Sequence, residues 1–254
     1  MVAVAYRSPT NSIRIYDDRH KVQMVIHKGV SSPLNVWYDT SADLYVTNSS
    51  GHDVTEYAPG AKMPAFTYST DLMLPEAITT DESGNVYVAD AQQGFIAEYP
   101  HRSNRIIAKC YPGGFITGVA VDEQGDVFTS YAPSSSYALA EYKHGLRSCH
   151  ETVLSVSLFL EYCLQIDRNR DLIVCDGQTV DIIPPPYTQV TKTISDGFTY
   201  ADGASLNKAN SLLFVEDDST RVVVDEYPSG KYLTTLANRP DFFATGVAVY
   251  PGPL

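Results

Sequence analysis

Pro75-Glu-Ala-Ile-Thr-Thr-Asp81-Glu-Ser-Gly84-Asn-Val-Tyr-Val-Ala-Asp90, followed by Ile96-Ala-Glu98-Tyr99-Pro100, is one copy of a unit that recurs along the chain. One unit earlier stand Pro33-Leu-Asn-Val-Trp-Tyr-Asp39, Asp43-Leu-Tyr-Val-Thr-Asn48 and Val54-Thr-Glu56-Tyr57. One unit later stand Thr117-Gly-Val-Ala-Val-Asp122-Glu-Gln-Gly125-Asp-Val-Phe128 and Leu139-Ala-Glu141-Tyr142. Two degraded copies surround Asp167 and Asn207. The anchors Asp39, Asp81, Asp122, Asp167 and Asn207 lie 42, 41, 45 and 40 residues apart. Short alternating runs such as Asn85-Val-Tyr-Val-Ala89, bounded by Gly, Asp, Asn and Pro, read as half-buried strands. A period of this size with about four strands per unit marks propeller blades. In Asp-x-x-Gly-Asn/Asp, the Asp can bond the turn backbone and the Gly accepts positive φ. This turn is therefore expected to join the innermost strand of a blade to the second.

The chain ends complete the count. Thr245-Gly-Val-Ala-Val-Tyr250 copies Thr117-Gly-Val-Ala-Val-Asp122, while Val2–Tyr6, Ser12–Tyr16 and Val22–Ile26 supply three further strands. The sequence thus predicts an all-β six-bladed β-propeller of four-stranded antiparallel blades, a single domain over residues 1–254. Its last blade is closed by the C-terminal strand joining the N-terminal strands, which leaves no bare sheet edge there.

Composition excludes several classes. Of 254 residues 44% are hydrophobic and 19% charged, which is not the balance of a disordered chain. No run approaches the ~18 apolar residues of a membrane helix, so no membrane span is expected. With 30 acidic against 18 basic residues and a net charge of −12, a concentrated basic face for nucleic acid is not expected either. There is no Gly-x-Ser-x-Gly elbow, phosphate loop or dinucleotide fingerprint.

The pattern Pro/Gly-x-x-Ile/Val-x-x-Asp-x-x-Gly-Asn-Val-Tyr-Val-Ala-Asp, then x-Glu-Tyr, resembles the NHL-type repeat of six-bladed propellers. The resemblance runs along the whole chain and is strongest at 33–60, 75–100 and 117–142. It implies the fold and leaves activity open, because such propellers include binding and scaffold modules, lyases and metal-dependent lactonases. It also implies an extracytoplasmic place, periplasmic or secreted. Residue 2 already lies in a strand, so a signal segment is expected to have been removed.

The fifth position before each anchor begins an inner strand at one mouth of the central channel: Leu34, Glu76, Thr117, Tyr162, Asp202 and Thr245. Glu76 and Asp202 fall three blades apart and should face each other there, with Glu161 near. Loops between second and third strands add Asp90, Asp176, Glu216, Asp217 and Asp218, and Asn35 and Asn48 are the nearby amides. Converging oxygens suit Ca²⁺ or another divalent cation. The lactonases that the chain resembles hold such an ion with Glu, Asn and Asp at this mouth. Two readings stay open: an acidic, solvated rim, or a cation held by Glu76 and Asp202.

Other residues point to structure. Ala77, Gly118, Gly203 and Gly246, four before their anchors, suit a crowded ring axis, and Trp37 is read as core packing. His20, His101 and His144 follow third strands of different blades on the opposite face, so a shared zinc site is not expected. Glu56-Tyr57, Glu98-Tyr99, Glu141-Tyr142 and Glu226-Tyr227 recur once per unit, as a structural element would.

Four cysteines lack Cys-x-x-Cys spacing, and Cys110 and Cys149 have no readable partner. A turn closing Asp167 on Asp171 sets Cys163 directly opposite Cys175, within reach of a disulfide. The copy has Asn169-Arg170 in place of the turn Gly, so a slipped register is the main risk. The pair is either bonded or two touching buried thiols; a bond would favour an oxidising compartment. Two functions follow. The first is a monomeric, non-enzymatic propeller that binds an unknown protein or small-molecule ligand. The alternative is a divalent-metal-dependent, lactonase-like hydrolase using Glu76 and Asp202.

Overall fold

The computed structural model describes residues 1–250 apart from residues 9, 135, 157, 160–162, 219 and 240–242. The first strands are β1 (Val2–Ser8), β2 (Ser12–Tyr16) and β3 (Val22–Ile26). Blade 1 follows as β4 (Pro33–Tyr38), β5 (Leu44–Asn48), β6 (Asp53–Tyr57) and β7 (Phe66–Tyr68). Blade 2 is β8 (Pro75–Thr80), β9 (Val86–Asp90), β10 (Phe95–Tyr99) and β11 (Ala108–Cys110). Blade 3 is β12 (Phe115–Val121), β13 (Val127–Ala132), β14 (Ala138–Tyr142) and β15 (Glu151–Val153). Blade 4 is β16 (Cys163–Ile166), β17 (Leu172–Cys175), β18 (Val180–Ile183) and β19 (Lys192–Ile194). Blade 5 is β20 (Ala201–Leu206), β21 (Leu212–Asp217), β22 (Arg221–Glu226) and β23 (Lys231–Asn238). The last strand, β24 (Phe243–Val249), completes blade 6 in the order β24-β1-β2-β3, so six four-stranded antiparallel sheets form the ring.

The repeat sets the turn geometry. Asp39 Oδ1 accepts from the amides of Ser41 and Asp43, and Asp122 Oδ1 from those of Gln124 and Asp126. The third residue after each anchor lies in the left-handed region: Ala42, Gly84, Gly125, Arg170 and Asn210. Arg170 does this without being glycine, at φ 67°. Its Nε and Nη2 stand 2.7 and 2.8 Å from the buried carboxylates Asp122 and Asp126 of blade 3, which offset the strain. The register around Asp167 is therefore unslipped, with Cys163 opposite Cys175. In blade 5 the turn is one residue longer, because Asn207 N donates to Leu212 O where Asp39 N donates to Asp43 O.

That extra residue changes one reading. Glu56, Glu98 and Glu141 lie opposite Tyr45, Tyr87 and Phe128, but in blade 5 the matching aromatic, Phe214, lies opposite Val224. Glu226 points to solvent. Val224, not Glu226, occupies the blade 5 position of the row, and Asp225 lies on the other face of the strand, opposite Leu213 on the blade 4 side.

The core lies between blades, not within them. Successive strand residues point to opposite faces, so Val127 packs toward blade 2 and Phe128 toward blade 4. Between blades 6 and 1, Ala3, Ile13, Val36 and Val46 meet; between 5 and 6, Val4, Phe214 and Val247 do. At the axis the inner strands nearly touch: a β-carbon on Gly246 would stand 3.0 Å from Leu34 O and 3.1 Å from Asn35 Cα.

Pairing of Val2 with Val249 and of Ala5 with Gly246 joins the two ends of the chain. Removing residues 243–254 should unfold the whole ring and not fray one end. Val247 and Val249 alone represent about 1.5–3 kcal/mol each of burial, a large part of a domain's marginal stability. Thermal melting by circular dichroism checks this; a truncated chain that melts at the full-length midpoint would contradict it.

Candidate functional site

Inner strands begin at one mouth of the ring, where a cavity of about 280 Å³ is lined by Glu76, Asp202, Asn35, Thr117, Thr245 and Arg7 among others. Glu76 on β8 and Asp202 on β20 come from blades 2 and 5, opposite each other in the ring, and Asn35 on β4 joins them. Glu161 lies outside the described residues. Thr245 Oγ1 donates to Pro33 O and ties blade 6 to blade 1 at the rim. A second cavity of about 350 Å³ opens at the other mouth. Trp37 and Gln165, again from opposite blades, line both. Trp37 thus lines the channel as well as packing toward blade 2, which corrects the purely core reading of it. Its Nε1 donates to Thr80 Oγ1 at 2.9 Å.

Cys163 also lines the mouth cavity and is bonded to Cys175, with Cα atoms 5.0 Å apart. A second disulfide joins Cys110 of blade 2 to Cys149 of blade 3. Sequence could not pair these two, because they are brought together by a blade 3 loop packed back on blade 2 and not by a strand register.

Most of the acids expected at the mouth have other work. Asp90 Oδ2 accepts from the amides of Met73 and Leu74, Asp176 from that of Phe159, and Asp217 Oδ1 from those of Thr199 and Tyr200. Asn48 Oδ1 accepts from Ser31 N in the same place in blade 1. These side chains brace the loop that leads into their own inner strand. Asn48 is fully buried, so the Asn48-Ser-Ser50 triplet does not offer its amide for glycosylation.

The remaining acids are strongly perturbed. Burial pushes the Glu76 carboxyl up to about 7, with Arg7 pulling it back. Burial, then the charges of Asp202 and Asp217, holds Glu216 well above the ordinary carboxylate range. Burial also lifts Asp225 to about 7, helped by Asp196.

At the opposite face, Asp43, Glu56 and His101 bring three ligand-type atoms within 4.8 Å of one another, as no other such group does among the described residues. His101, set aside at the sequence level, reaches Glu56 Oε1 at 3.2 Å. Arg102 Nε stands 2.7 Å from the same oxygen and Tyr68 hydroxyl donates to Oε2 at 3.0 Å. The buried carboxylate is thereby neutralised by a guanidinium from the next blade, as Asp122 and Asp126 are by Arg170. It is an inter-blade clamp.

No family model matches the sequence, and no curated protein matches it significantly. Among solved structures, the chain is similar to one in the crystal structure of a nidogen/laminin complex. The TM-score is 0.78 at 14% identity, over 97% of both chains. It is also similar to a protein of unknown function from Bacteroides caccae, with TM-score 0.74 and 11% identity over 97% of both chains. At these identities the likeness shows a β-propeller fold. That fold is compatible with a binding or scaffold module, and no helix is long and apolar enough to cross a membrane among the described residues.

Glu76, Glu216 and Asp225 share one pH consequence. A carboxyl whose folded pKa is raised costs nothing below its unfolded pKa and costs more as pH rises through the folded value. Stability should therefore fall between about pH 5 and pH 8. Thermal melts across this range check it, and Glu76→Gln or Asp225→Asn should each flatten the slope. A midpoint that climbs over the same interval would contradict the assignment.

Proposed function

We propose that this protein is a non-enzymatic, NHL-like propeller, a single-domain monomer that works outside the cytoplasm and binds a ligand or a partner protein at the channel mouth. The observation that carries the reading is the mouth cavity itself. It is concave and set in a rigid ring, and it presents Glu76, Asp202 and Asn35 on three different blades. The acids that could have surrounded an ion there, Asp90, Asp176 and Asp217, serve loop amides instead. Two disulfides among four cysteines support an oxidising compartment. One structural neighbour comes from a protein–protein complex, which accords with binding.

The lactonase-like alternative draws on one feature: Glu76, half-buried and raised to about 7, is tuned as a general acid–base would be. An elemental scan of the purified protein, followed by a panel of lactones and phosphotriesters, separates the two. The expected outcome is no stoichiometric metal and no turnover above background. Metal at one per chain, with turnover lost in Glu76→Gln, would replace the binding reading by the hydrolase.

A further inference from the structure

Glu216 is fully buried on β21, and neither carboxylate oxygen has a hydrogen-bond partner. Buried polar groups are nearly always satisfied, so one left bare requires a reason. Its place in the fold supplies one. Glu216 lies opposite Gly203 of β20, and its Oε2 is 3.4 Å from the point where a β-carbon on Gly203 would stand. Gly246 Cα of the neighbouring inner strand is 3.9 Å from that same point. Both glycines line the mouth cavity, so the wall in front of the carboxyl carries no side chain. Beside them Asp202 faces the cavity.

We propose that this corner of the mouth, between blades 5 and 6, is a site for an organic cation. An alkylammonium or alkylguanidinium head meets Asp202 in the cavity and is backed by Glu216 behind the two glycines. The inference deepens the binding reading above and rests on it.

Three observations select this ligand. First, the charges that act on Glu216, those of Asp202 and of Asp217, itself paired with Arg221, are both negative, whereas Glu76 across the mouth already feels Arg7. Arg14 and Arg239 act on Tyr6, which packs in the same gap between blades 5 and 6. Secondly, a divalent ion needs several converging oxygens, and the described residues assemble no third carboxylate or histidine atom with these two. An N–H cation needs only one or two carboxylates and benefits most where they are desolvated. Thirdly, Phe243, Ala244 and Val247 line the same cavity, and half of Phe243 is exposed. An alkyl stem can lie on this apolar wall, and the aromatic face attracts a cation.

Binding carries a proton with it. Burial beside like charge holds the Glu216 carboxyl well above the ordinary carboxylate range, which favours its protonated form, and a cation at the wall favours its ionised form. Docking therefore releases a proton and tightens as pH rises. An uncharged or anionic ligand would not do this.

Isothermal titration of the full chain with butylguanidinium chloride and butylammonium chloride tests the site, run in two buffers of different ionisation enthalpy. Acetyl-Gly-Arg-Gly-amide and acetyl-Gly-Lys-Gly-amide form a second arm and calcium chloride a third. Expected is saturable binding of at least one small cation at one per chain, with proton release. Asp202→Asn should weaken it at least about tenfold, the loss typical of one charge-assisted hydrogen bond. Glu216→Gln should abolish the proton release, and thermal melts establish that both variants are folded. Tighter binding of the capped peptides than of the small cations assigns the source to a partner's Arg or Lys side chain. The reverse order assigns it to a free amine. No saturation in either organic arm, affinity unchanged in Asp202→Asn, or calcium binding alone overturns the proposal. Absence of cation binding without lactone turnover removes only this inference, whereas metal-dependent turnover removes the binding reading as well.

Discussion

Every sheet in this molecule is apolar on both faces, and such a sheet is stable only with a neighbour against each face. Val127 and Phe128, adjacent on one strand, enter two different inter-blade gaps. No blade can therefore stand alone, and the ring must close. Closure falls to β24 and β1, the two strands furthest apart in sequence. It also draws the inner strands together at the axis, where Gly246 is packed against the backbone of Leu34 and Asn35. The residue that crowding requires there is one without a side chain. That requirement leaves Glu216 with only glycines between it and the cavity, so the candidate site follows from how the ring closes.

The two ends of the ring treat buried charge differently. At the turn end, Glu56, Asp43, Asp122 and Asp126 meet guanidinium groups from the adjacent blade, Arg102 or Arg170. Removing one partner of such a pair leaves a buried charge uncompensated, so these contacts tie neighbouring blades together. At the mouth end, Asn48, Asp90, Asp176 and Asp217 hold loop amides with neutral or charge-assisted hydrogen bonds, and Asp217 also pairs with Arg221 of its own blade. Both sets repeat from blade to blade. The acids that fit neither set are Glu76 and Glu216 at the mouth and Asp225, which lies opposite Leu213 on the blade 4 side and has Asp196 as its neighbouring charge.

What could be read from the sequence was whatever the repeat encodes. The anchors gave the blade count, and symmetry about the turn placed Cys163 opposite Cys175 even though Arg170 stands where glycine was expected. The replacement works because the buried carboxylates of the preceding blade hold the guanidinium, an interaction between units that a single unit cannot display. The same limit explains other departures. Glu226 looked equivalent to Glu56 until one extra residue in the Asn207 turn moved Val224, opposite Phe214, into that place. Asp90 and Asp217 were grouped with Glu76 by their position on the ring, yet the loop amides that engage them come from variable segments without periodicity. Arg7 escaped notice because its strand belongs to the composite blade, and the pairing of Cys110 with Cys149 depends on a loop crossing to its neighbour.

A fold shared over 97% of two chains at 14% identity shows how few positions the ring dictates. It demands small residues at the axis, apolar residues in each gap and a turn that accepts positive φ. It places almost no demand on the fifth residue before each anchor, which reads Leu34, Glu76, Thr117, Asp202 and Thr245 in five of the blades. Those positions point into the mouth, where packing is satisfied by any side chain and chemistry is free to differ. Agreement with the repeat is thus evidence of structure, and departure from it at the mouth is where recognition can be built. Glu216 departs furthest. The alternation of β21 directs it into an inter-blade gap that elsewhere holds Phe214, Val222 and Val224, and a carboxyl in such a gap costs stability that no contact within the chain returns. A group retained at that cost is best explained by something outside the chain that answers its charge.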